Sequence, residues 1–149
     1  MSENALTRVF SRIAEEMTFM FVESMEGPPP PTEPPYLCVS MQFMGPFSGV
    51  LSLYAPGGLC RLVAMNVLGV DDPEKMGEHF KPCDTMCELL NVTCGNLLPE
   101  LAGREPVFNL TPPRASEIDA SEWESITRDP EAVGFLMDDY PVYLKLVRS

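Results

Sequence analysis

"CELLNVTCGN", Cys87 to Asn96, has leucines at the spacing of a buried helix face. Among them stand four poor helix formers: Asn91, Thr93, Gly95 and Asn96. Lys81-Pro82 precedes the stretch and Pro99 to Gly103 follows it, which leaves room for one helix from about Lys81 to Leu101. With Met86 at zero and about 100° per residue, Met86, Leu90, Thr93, Leu97 and Leu101 gather on one side. Leu89 and Cys94 flank them. Asp84, Glu88, Asn91 and Gly95 fall opposite. Glu88 and Asn91 are three apart and so stand next to each other, one turn up. Gly95, a turn further on, leaves a bare shoulder. The four weak positions together give up roughly 2–3 kcal/mol of helix preference, against a domain stability of about 5–15 kcal/mol.

Two readings of this polar strip stay open on the residues alone. Gly95 and Asn96 admit another element of the same chain, with Asn91 bridging something nearby. Alternatively, an acid and an amide are displayed for a partner, with Val92 and Leu98 as an apolar rim.

Outward from this helix, the chain divides readily. The apolar stripe Leu6, Val9, Phe10, Ile13, Met17, Met20 and Phe21 predicts a first helix over about Glu3 to Glu26, with Ser2 or Asn4 as cap. "EGPPPPTEPP", residues 26–35, excludes helix and central strand and reads as a stiff connector. "YLCVSMQFM" and "GVLSLYAP", joined by "GPFS", predict an antiparallel hairpin. "GGLCRLVAMNVLG" predicts a second helix closed by Gly69. Pro106 to Leu110 reads as a short strand. Val133 to Val147 reads as a closing hairpin that turns near Asp138 to Pro141. Residues 114–132 form a polar, acidic insertion whose structure stays open, with Trp123 as a packing anchor. The order predicts one α+β domain over residues 1–149, with helices packed on a mainly antiparallel sheet.

Composition narrows the function. Hydrophobic residues make up 45% of the 149, enough for a normal core. A net charge of -12 argues against nucleic acid and anionic membrane as partners. No apolar run is long enough to insert in a bilayer, and the N-terminus lacks a signal-peptide pattern, so a cytoplasmic protein is expected. The five cysteines then read as reduced, buried hydrophobes. His79, Cys83 and Cys87 follow at four-residue intervals, a spacing that can share a metal. The helix starts after His79, however, and no fourth ligand is evident, so no metal is assigned. Cys83 lies near a helix N-terminus, yet no companion His base argues for a nucleophilic enzyme.

Glu88-Leu89-Leu90-Asn91 followed by Val92-Thr93-Cys94-Gly95-Asn96 resembles the E-x-x-N-x-x-x-G-N signature of the CheC/CheX/FliY chemotaxis phosphatases. The hairpin and "GLCRLVAMNVLG" resemble the segment upstream of it. One copy of the signature makes the chain most similar to the CheX-like members. The likeness covers roughly Met41 to Leu101. The proline run, Pro99 within the helix and the stretch after Pro113 depart from the pattern, and Pro99 is expected to kink or end the helix.

The resemblance implies a CheC-like fold and removal of the phosphoryl group from a phosphorylated CheY-like receiver domain. Asn91 would orient the attacking water and Glu88 would pair with the receiver's lysine. Asp84, Val92, Gly95, Asn96 and Leu98 would form the contact surface. No cofactor belongs to this chain, since the receiver supplies Mg2+. The resemblance also implies a homodimer through sheet edges. Both partners are acidic, so long-range attraction gives no help and a weak, transient complex is expected. The alternative is a non-catalytic module of the same fold that docks on a receiver or a flagellar-motor component.

Overall fold

The computed structural model describes residues 2–77 and 81–149. They form seven strands and four α-helices: α1 (Ser2–Thr18), β1 (Val22–Ser24), β2 (Tyr36–Met44), β3 (Gly49–Pro56), α2 (Gly57–Leu68), α3 (Pro82–Ala102), β4 (Asn109–Leu110), β5 (Arg114–Ile118), α4 (Ala120–Thr127), β6 (Val133–Met137) and β7 (Tyr140–Arg148). A 3-10 turn at Pro73–Met76 lies between α2 and α3. One antiparallel sheet runs β1-β6-β7-β3-β2-β4, with β5 also paired to β2. This is the predicted α+β class.

The sheet sorts its side chains by parity, as pleating requires. On one face Val39, Met41 and Phe43 of β2, Leu51 and Leu53 of β3, and Val142 and Leu144 of β7 join the main core with α1, α2 and α3. On the other face Tyr36 and Tyr143 meet Ile118, Trp123 and Ile126 in a second, smaller core under α4. Trp123 stacks on Tyr36 with ring centroids 4.8 Å apart and meets Tyr143 edge-on. It is the packing anchor the sequence predicted. The polar stretch 114–132 thus supplies a strand and a helix, both through the apolar side chains it places at Ile118, Trp123 and Ile126.

The first helix is shorter than its stripe predicted. It ends at Thr18, not near Glu26. The Thr18 hydroxyl donates back to the Ala14 carbonyl at 2.7 Å, and Phe19 turns into the left-handed region with φ 60°. From Met20 the burial alternates: Met20 and Val22 are buried while Phe21 is 74% exposed. That period of two belongs to a strand, and β1 pairs with β6. Phe21 therefore leaves the stripe. Its backbone exchanges hydrogen bonds with Asp138 in the β6–β7 turn.

The remaining boundaries follow their local chemistry. Gly69 takes φ 71° and closes α2, as its lack of a Cβ allows. The predicted strand at Pro106 to Leu110 shrinks to Asn109–Leu110, paired with β2.

Candidate functional site

α3 is the central helix of the layer, packed against both α1 and α2 and over β2 and β3. It buries Thr85, Met86, Leu89, Leu90, Thr93, Cys94, Leu97 and Leu98. Asp84, Glu88 and Gly95 are exposed, with Asn91 half-buried beside them. The wheel drawn from the sequence therefore holds along the polar face. It fails at one place: Leu98 is 3% exposed and belongs to the core, reaching the surface only in the lining of a small cavity beside Gly95. Val92 is half-buried and packs against the same core. The buried stripe is wider than a strict 100° count gives, because α3 has neighbours on both flanks as well as below.

The helix does not stop at Pro99. It runs to Ala102, and the Gly103 N–H closes it on the Pro99 carbonyl at 2.8 Å. Proline has no N–H for the Gly95 carbonyl, and Gly95 lies on the exposed side of the helix.

The four weak helix formers divide by what their side chains do. The Thr93 hydroxyl, fully buried, donates to the Leu89 carbonyl at 2.7 Å. The Asn96 amide donates to the Val92 carbonyl at 2.8 Å. Both are engaged inside the helix that carries them. Asn91 and Glu88 differ: among the described residues, no hydrogen bond or ion pair engages either side chain. Gly95 differs most. A Cβ built there meets nothing within 4 Å. Among the described residues no other element uses the space, so close packing between them does not account for the glycine.

Open space continues on both sides of Gly95. A cavity of about 440 Å³ is lined by Arg12 from α1 and by Gly95, Asn96, Pro99, Glu100 and Arg104. A second, of about 190 Å³, lies between Gly95, Arg104 and the apolar side chains of Phe108 and Leu110. Arg12 and Arg104 escaped the sequence reading because they lie far from the signature along the chain. The available signal was that Arg8 and Arg12, one turn apart, are the only bases of α1.

Two of the thiols are held protonated by burial. Burial pushes Cys60 up to about 12, with Cys83 adding to the shift, and burial alone takes Cys94 to about 11. Such thiols stay protonated near neutrality. Among the described residues, no group of three or more His, Cys, Asp or Glu side chains is placed to hold a metal ion. His79 of the four-residue series lies outside the described residues. No helix among them is long and apolar enough to cross a membrane.

Solved structures share the fold across nearly the whole chain. The CheX–CheY–BeF3–Mg2+ complex from Borrelia burgdorferi matches with 17% identity and a TM-score of 0.70, over 99% of this chain and 97% of that chain. Chemotaxis protein CheX from Vibrio vulnificus matches with 14% identity and a TM-score of 0.71, over 99% and 96%. A CheC-like superfamily protein from Shewanella sp. PV-4 matches with 16% identity and a TM-score of 0.70, over 99% and 97%. Identities this low speak for the fold alone. No curated protein sequence matches. The family model "Chemotaxis phosphatase CheX" matches residues 37–132, which is more than half of the chain and includes α3 entire. The chain belongs to the CheX family of chemotaxis phosphatases.

Proposed function

We propose that this protein hydrolyses the aspartyl phosphate of a CheY-like receiver domain, docking through the polar face of α3. The observation that carries the reading is the pairing of an open Gly95 with two unengaged side chains, Glu88 and Asn91, on that face. A helix that gives up roughly 1 kcal/mol at an exposed glycine, with nothing of its own to fill the space, is built for close approach by another molecule. In the Borrelia burgdorferi relative, CheX stands in a complex with CheY, BeF3 and Mg2+, which favours a receiver as that molecule.

The chemistry asked of the chain is modest. Phosphoryl transfer passes through a loose transition state, so a water held in line supplies much of the effect. Asn91 has a neutral amide that both donates and accepts, which suits it to orient that water without a strong base. Glu88 pairs with the receiver's lysine and fixes the approach of the helix, a charge-assisted bond strengthened as docking excludes water. Gly95 lets the receiver's backbone come close. The Asn96 amide holds the turn beneath it. Mg2+ comes with the receiver and not with this chain. The resemblance adds a homodimer through sheet edges. In this sheet the ends are β1 on one side and β4 with β5 on the other, and sedimentation of the purified protein reads whether two copies associate.

The test follows loss of phosphate from a panel of receivers charged with a small phosphodonor. Wild type accelerates the loss on at least one receiver, and Glu88→Ala weakens binding of that receiver. No acceleration on any of them leaves the non-catalytic docking module as the better account.

A further inference from the structure

We infer that Arg12 and Arg104 are specificity-determining docking residues that grip acidic side chains around the receiver's phosphorylated aspartate. The inference rests on the phosphatase reading above and names the charge chemistry of its interface.

The two guanidinium groups line one cavity of about 440 Å³ together with Gly95 and Pro99. That cavity continues the face on which Glu88 and Asn91 stand, because Gly95 belongs to both. Both arginines are exposed, and among the described residues neither has an ion-pair or hydrogen-bond partner. Glu15 and Glu16, each within one helical turn of Arg12, are exposed and form no ion pair with it. The one carboxylate in the cavity, Glu100, already faces Arg8 at 3.6 Å. Two guanidinium groups without an ion-pair partner among the described residues thus line the cavity beside Gly95, and its one carboxylate is engaged by Arg8, on a chain whose net charge is -12.

The occupant follows from charge. A site that holds Mg2+ against an aspartyl phosphate is built from carboxylates, so its mouth is acidic. An acidic protein repels such a partner at long range, where the Debye length is about 8–10 Å. A local cationic cleft beside the docking helix reverses the sign at contact and sets orientation. Arginine also suits the task by geometry, since its planar fork meets a carboxylate through two parallel hydrogen bonds. The inference keeps the expectation that long-range attraction gives no help and adds a local cationic contact to it.

The experiment measures steady-state dephosphorylation of a receiver by wild type, by the double variant Arg12→Glu/Arg104→Glu and by Arg12→Lys/Arg104→Lys. A control, Arg61→Glu/Arg128→Glu, makes the same change in net charge at exposed positions that line neither cavity beside Gly95. The glutamate pair at the cleft raises KM about tenfold or more while kcat changes less than about twofold. The lysine pair stays between it and wild type, and the control stays near wild type. Equal KM in the cleft variant and the control overturns the inference and leaves the phosphatase reading standing. A cleft variant that loses self-association in sedimentation with KM unchanged also overturns it, since the cleft then seats a second copy. No hydrolysis by wild type overturns both.

Discussion

Thr93 and Asn96 give their side chains back to the helix that carries them, and Gly95 gives nothing to any neighbour. That contrast is what marks this face of α3 as the candidate site. Gly95→Ala should raise the unfolding free energy by about 1 kcal/mol, since the methyl group meets no atom and the helix gains propensity. In a chain of this size that is a rise of about 2–4 °C in thermal midpoint. The same variant should bind the phosphorylated receiver more weakly. A variant that is more stable and equally active would mean the glycine serves no partner. Not all of this was legible beforehand. The facing of Glu88, Asn91 and Gly95 could be read from a 100° wheel. Whether another part of the chain fills the space over Gly95 depends on contacts distant in sequence, which no local pattern carries. Leu98 was misplaced for the same reason: α1 and α2 both flank α3 and widen what it buries.

At the level of elements, both hairpins and α2 were written in local turn chemistry and alternation, and they stand where the residues put them. The end of α1 was not. Met20 and Phe21 fit a helical stripe as well as they fit a strand, and only the pairing of β1 with β6 decides between them. The polar stretch 114–132 hid an element for a different reason. α4 has few apolar residues, and they face a small core built by Tyr36 and Tyr143 from distant strands. That core lies across the sheet from α3. Trp123→Ala should therefore lower stability by about 3 kcal/mol, as deletion of a large buried aromatic does. Turnover per folded molecule should remain at the wild-type level. Denaturant unfolding and an activity assay normalised to folded protein read the two effects. Lost turnover in the folded fraction would tie α4 to the site.

Across the molecule, burial of thiols makes stability depend on alkaline pH. The folded chain holds the protons of Cys60 and Cys94 to about 12 and about 11, above the ordinary 9.0 at which an unfolded chain releases them. Stability is then level below pH 9 and falls as pH rises from there through the folded values. Burial also raises Cys38, Tyr54, Cys87 and Tyr143, which adds in the same direction. Urea midpoints should fall between pH 8 and pH 10.5, less steeply in Cys60→Ala and Cys94→Ala; a flat profile would contradict the burial. The net charge of -12 belongs to the whole chain, while the proposed chemistry is assigned to one face of one helix. The account of that face is tested most directly by single-turnover dephosphorylation of a receiver at saturating phosphatase, comparing wild type with Asn91→Ala. If the amide orients the attacking water, the rate constant falls by about 10²-fold or more while receiver binding is kept. If Asn91→Ala hydrolyses at the wild-type rate, the amide does not position the water and the central claim is wrong.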